Sequence, residues 1–142
     1  AKLGGGGDDD DDAGEDEGEE AVVGALVRIL TACAPHPAAA QAICDAGGLP
    51  VLVGLLKVRS ELLQGNAALG VAECAKDAKC LAVLAMQDAV PPLLAIAHEG
   101  KGQAQKNAAI ALGRLAKNAH CLQAIRDNHG IEILARAMKD KL

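Results

Sequence analysis

Few side chains in this 142-residue sequence have the type and spacing that chemistry requires. His120 and Cys121, with His129 further on, bring a thiol near two imidazoles. That is the raw material of a Cys–His nucleophile or a metal site. Cys121 lies on an apolar helical face, however, and a closed zinc site needs four ligands where no fourth is nearby. The segment Ala95-Ile96-Ala97-His98-Glu99-Gly100-Lys101-Gly102 approaches a phosphate-binding loop. That loop opens on Gly and closes on Ser or Thr, which ligates Mg²⁺; Ala95 and Gly102 stand there instead. The carboxylates of Asp8 to Asp12 would attract Ca²⁺ weakly, but lack the Gly turn and terminal Glu of a calcium loop. The hydroxyl side chains are Thr31 and Ser60, and neither sits in a motif. No catalytic, metal-ligating or cofactor-binding residue is assigned, so a non-enzymatic protein with no cofactor is expected.

The elements that would hold any site are helical. Apolar residues make up 51% of the chain and aromatic residues 0%, leaving Ala, Leu, Val and Ile. That composition favours closely packed helices over strands. It also removes the aromatic platforms on which single-stranded nucleic acid stacks. Charge is divided unevenly. Residues 1–20 hold ten carboxylates and one Lys, while the remainder holds 13 bases and nine acids, a mild excess that argues against nucleic acid as a partner. Residues 1–18 are read as an acidic Gly/Asp/Glu-rich flexible segment, because like charges repel and glycine is costly to order. Cys33, Cys44, Cys74, Cys80 and Cys121 are odd in number and form no C-x-x-C pair. They read as buried, reduced thiols of an intracellular, cytoplasmic protein, with nucleus or cilium as other locations. No apolar run reaches membrane-spanning length, so no membrane partner is expected.

From Glu19 onward the sequence repeats. Residues 60–89 laid on 101–130, a shift of 41, give nine identities in thirty pairs without a gap, among them Asn66/Asn107, Lys76/Lys117 and Cys80/Cys121. Leu49-Pro50-Val51-Leu52 falls on Val90-Pro91-Pro92-Leu93 and then on Ile131-Glu132-Ile133-Leu134. An all-helical period near 40 residues predicts an α-solenoid. Each unit contains three helical stretches. The first runs over 38–45, 79–88 and 120–128, with Gly47-Gly48, Ala89 or Gly130 as its C-cap. The second opens on proline at Pro50 and Pro91-Pro92. The third runs over 61–76 and 103–117. Core positions include Leu52, Leu55, Leu56, Leu69, Val71, Leu93, Ile96, Leu112, Leu115 and Ile125.

A short helix, a glycine, a helix opened by proline and a long helix carrying Asn-Ala-Ala together resemble the armadillo repeat. The matching stretches are Gly47 to Leu56 with Gln64 to Leu69, and Ala89 to Leu94 with Gln105 to Leu112. The resemblance covers residues 19–142: a partial repeat at 19–36, repeats at 37–77 and 78–118, and a partial repeat at 119–142. It implies an all-α fold, a right-handed α-solenoid of three-helix repeats, and a C-terminal fragment of a larger protein in which the acidic segment is an inter-helix insertion after Ala1-Lys2-Leu3. HEAT repeats lack this Gly-Pro punctuation.

In peptide-binding armadillo proteins the third helices line a concave groove, where a Trp and an Asn one turn later hold the ligand. Leu69 and Ile110 occupy the Trp position here, and Glu73 and Arg114 the Asn position; Arg28 and Ala32 are their counterparts in the first unit. The missing ladder disfavours a nuclear transport adaptor. What remains is a charged face. Lys106, Ile110, Arg114 and Lys117 share one side of a helix, Lys76 aligns with Lys117, Arg28 extends the stripe and Glu73 interrupts it. The resemblance therefore implies a protein-interaction scaffold or adaptor. Its groove would take an acidic extended segment or a helix, and the parent protein's other repeats would be further partners. The acidic segment would compete loosely for that groove. The alternative is a structural component of a large assembly such as a ciliary axoneme, or a dynein-assembly factor.

Overall fold

The computed structural model describes residues 5–33 and 35–141, with side chains described for 18–33 and 35–140. Ala1-Lys2-Leu3 lies outside the described residues. The order is α1 (Gly5–Cys33), α2 (Pro37–Asp45), α3 (Gly48–Leu55), α4 (Glu61–Cys74), α5 (Ala78–Met86), α6 (Val90–Glu99), α7 (Gly102–Leu115), α8 (Ala119–Asp127) and α9 (Gly130–Lys141), with no strand among the described residues. The 41-residue shift carries α2 onto α5 and α8, α3 onto α6 and α9, and α4 onto α7. Angles repeat as well: α2 meets α3 at 87° and α5 meets α6 at 88°. The chain is an all-α solenoid of three-helix units.

Each corner is set by a left-handed residue, and it is not the residue that the glycine pattern suggests. Positive φ falls on Gly47 (79°), Asp88 (55°) and His129 (58°), one period apart. Ala89 and Gly130, expected as caps, follow that residue and open the second helix. Asp and His are among the side chains that tolerate this region best, so the turn persists without glycine. The following position is tight. A Cβ on Gly48 would lie 2.8 Å from Ile43 Cγ2, and one on Gly130 would lie 2.5 Å from Ile125 Cγ2. In the middle unit the pair becomes Leu84 and Ala89, both buried. Leucine carries no methyl on its Cβ, which frees the space that Ala89 fills.

The core runs between the units. Leu49, Leu52, Leu56, Val71, Leu93, Leu112 and Leu115 are buried within it. Leu55 and Leu69, expected in the core, are half-buried. Cap chemistry also repeats: Asp77 accepts from Cys80 N at 3.0 Å and Asn118 from Cys121 N at 3.1 Å. His36, in the same place, makes no side-chain cap. No single described helix is long and apolar enough to cross a membrane.

Two sequence expectations differ from the structure. Residues 5–18, read as flexible, continue α1 as helix back to Gly5. Once 21–33 are ordered by packing, each further residue extends a helix rather than nucleating one. Acidic residues at a helix N-terminus also complement its dipole. The second difference is in the thiols. Cys74, Cys80 and Cys121 are buried, but Cys44 is half-buried and Cys33 exposed. Cys33 occupies the Cys74 position in a unit with no preceding helices among the described residues to cover it.

Candidate functional site

The third helices α1, α4 and α7 lie side by side. Among the described residues the α4–α7 junction is the most extensive, and the α1–α4 junction repeats it one unit earlier on a smaller scale. Small residues set the spacing: a Cβ on Gly65 would come within 3.4 Å of Ala104 Cα. Asn107, buried between the helices, donates from Nδ2 to Gly65 O at 2.9 Å and accepts from Gln103 Nε2 at 2.9 Å. Asn66, its counterpart one unit earlier, has a buried Nδ2 with no partner.

The expected site residues fall into three groups. Leu69 and Ile110 form an apolar row one period apart; Leu69 is half-buried and Ile110 is 43% exposed. Arg28, Lys76 and Lys117 are exposed around it. Glu73 and Arg114, also one period apart, are both half-buried and pair with each other. Arg114 Nη1 donates to Ala72 O at 2.7 Å and lies 3.4 Å from Glu73 Oε1. Lys76 Nζ lies 2.9 Å from Glu73 Oε2. Burial pushes the Glu73 carboxyl up, but the hydrogen bonds and charges of Lys76 and then Arg114 prevail and hold it below its ordinary 4.5. Glu73 therefore does more than interrupt the basic stripe: it ties Arg114 to α4 and offsets the charge at its centre.

Lys106 forms the third group by itself. It lines a cleft of about 410 Å³ between α7 and α9, with Gln105, Ala109, Leu134, Ala137 and Met138. It thus sits at the edge of the Leu69–Ile110 row and faces the C-terminal end of the stack. Asn66 and Asn107 were visible in the sequence as an identity in register, but a shared residue type does not reveal a bond between helices.

Three of the five thiols are buried and held protonated. Burial, followed by nearby Cys44, raises Cys74 to about 11. Burial, followed by Asp77, raises Cys80 to about 12, and burial raises Cys121 as well. Such thiols stay protonated and react slowly. Cys80 Sγ donates to Ala40 O at 3.2 Å, fixing α5 against α2. Among the described residues no group of three His, Cys, Asp or Glu is placed to hold a metal.

Comparison with known proteins places these features. Residues 36–75, which span α2 to α4, match the Armadillo/beta-catenin-like repeat. Two crystal structures of engineered proteins share the fold. One aligns with a TM-score of 0.75 at 31% identity, over 80% of this chain and 47% of its own. The other aligns with a TM-score of 0.72 at 32% identity, over 78% of this chain and 28% of its own. The chain thus spans less than half the length of these two structures. No curated protein matches it.

Proposed function

We infer the function from one premise: the chain belongs to the armadillo-repeat family, whose fold generally serves as a protein-interaction scaffold. The proposed role is non-catalytic: the chain holds a segment of another protein on the face formed by α1, α4 and α7. The observation that carries this reading is the exposed Ile110 beside half-buried Leu69, with Lys76 and Lys117 flanking them. An isolated exposed apolar residue needs no explanation, but an apolar row framed by cations along a stacked helix face suits a ligand with apolar anchors and acidic flanks.

The partner proposed is an acidic extended segment or an amphipathic helix. Because Glu73 pairs with both Lys76 and Arg114 and offsets one of their two charges, the binding charge falls mainly to Arg28 and Lys117, and the apolar row supplies the rest. Protonated, buried thiols suit a reducing compartment, so a cytoplasmic location is proposed, with nucleus or cilium as other sites. Ile110→Glu tests the reading against a fluorescent peptide that alternates Leu and Glu. Since Ile110 is exposed, the variant should keep its helicity and lose peptide affinity at least tenfold. Unchanged affinity would remove Ile110, and this face, from the proposal.

A further inference from the structure

The hydroxyl side chains of this chain differ in their surroundings. There is one serine, Ser60, one threonine, Thr31, and no tyrosine. Thr31 Oγ1 is buried without a hydrogen-bond partner. Ser60 is half-buried and ends the turn between α3 and α4, behind Lys57 and Arg59, both exposed. Cations three residues and one residue before a serine match an enzyme with an acidic substrate cleft.

Ser60 also joins two helices. Its Oγ donates to Glu20 Oε1 of α1 at 2.7 Å and accepts from Leu63 N of α4 at 3.2 Å. Beside these bonds lies a cleft of about 440 Å³, lined by Glu19, Glu20, Val23, Arg59, Ser60 and Leu63 among others. That volume is ample for a phosphoryl group.

The repeat supplies an internal comparison. One period later, Lys101 and Glu61 hold the places of Ser60 and Glu20. Lys101 is exposed, so this place in the turn admits a long charged side chain. The register matches a cation with a carboxylate there. An anion on Ser60 would invert that match and set like charge against Glu20.

We propose that Ser60 is a phosphorylation site whose modification releases the start of α1 from α4. The inference is independent of the peptide-binding face. A protein kinase transfers the γ-phosphoryl group of ATP: the Ser60 oxygen bonds to phosphorus, the bond to the β-phosphate breaks, ADP leaves, and the hydroxyl proton passes to the kinase's base. Glu20 then loses its partner, because the esterified oxygen has no proton to donate. The phosphate also brings a charge of about −1.5 to −2 beside the Glu20 carboxylate, and the two repel. Leu63 N responds in the opposite sense. It belongs to the first turn of α4, whose dipole favours an anion, and Arg59 on the same cleft supplies a cation. The modification therefore parts α1 from α4 without melting α4.

The test incubates the full chain with ATP and a purified kinase that selects serines behind basic residues. Mass spectrometry locates the phosphate, and amide hydrogen exchange follows the helices. Phosphate should appear on Ser60 and not on Thr31, and more slowly in Lys57→Ala/Arg59→Ala. Amides of residues 21–24 should then exchange about tenfold faster, while those of 65–72 stay protected. Ser60→Ala, which loses the bond without gaining charge, should show a smaller rise. Glu20→Gln removes the repelled charge, so phosphorylation should raise its exchange little. A native chain that takes up no phosphate on Ser60, unchanged exchange in α1 after phosphorylation, or an equal rise in Glu20→Gln overturns the proposal.

Discussion

The side-chain amide of Asn107 donates to the backbone carbonyl of Gly65 at 2.9 Å, joining α7 to α4 through a buried polar contact. The matching bond one unit earlier, from Asn66 to α1, is absent, although Asn66 Nδ2 lies within 3.9 Å of where a Cβ on Gly24 would be. Gly65 O keeps its bond within α4, so removing Asn107 costs the net worth of one buried bond between helices, about 0.5–1.5 kcal/mol. Asn107→Ala should therefore lower stability by that amount in denaturant melts. Asn66→Ala should cost less, because its amide makes no bond to lose. Equal losses would contradict the difference between the two junctions.

The corner between first and second helix makes a separate prediction. Gly48→Ala forces a Cβ against Ile43, an overpacking that costs about 1–3 kcal/mol. The middle unit shows the remedy, since Leu84 accompanies Ala89 at the equivalent places. The double variant Ile43→Leu/Gly48→Ala should recover most of the lost stability in thermal melts. A double variant no more stable than Gly48→Ala alone would refute the coupling.

The sequence carried this architecture because the repeat displays it twice. Asn66/Asn107 and Cys80/Cys121 fix the 41-residue shift, and Pro50 and Pro91 mark where second helices open. It did not carry the left-handed corner, because Gly47 is replaced by Asp88 and His129, which reach positive φ without announcing it. For the candidate face, the Leu69–Ile110 row and its flanking cations were legible from spacing. The pairing of Glu73 with Arg114 was not. Positions one period apart touch only because third helices stack side by side, and a helical wheel of α7 alone shows Arg114 as an ordinary member of a basic stripe.

That pairing has a pH signature. Glu73 titrates below its ordinary value of 4.5 in the folded chain. Its stabilising contribution is therefore complete above 4.5 and is lost as pH falls through the lower, folded value. Denaturation midpoints followed downward from neutral pH should fall in the parent chain on the acid side of 4.5. Glu73→Gln should start less stable and fall less steeply there. Parallel curves would show that Glu73 is not held by Lys76 and Arg114.

The five cysteines report on packing without any substitution. Cys33 is exposed and Cys44 half-buried, while Cys74, Cys80 and Cys121 are buried. A maleimide reagent applied to the native chain should label Cys33 first and Cys44 more slowly, with the other three labelled only on unfolding. Rapid native labelling of Cys80 would contradict its burial between α2 and α5.

The most direct test of the binding face is an amide nitrogen–proton correlation spectrum of the full chain, titrated with the Leu/Glu peptide. The account predicts shifts concentrated at Arg28, Leu69, Lys76, Ile110 and Lys117, on α1, α4 and α7, with α3 and α6 unmoved. Shifts centred on α3 and α6, or none at saturating peptide, would contradict it.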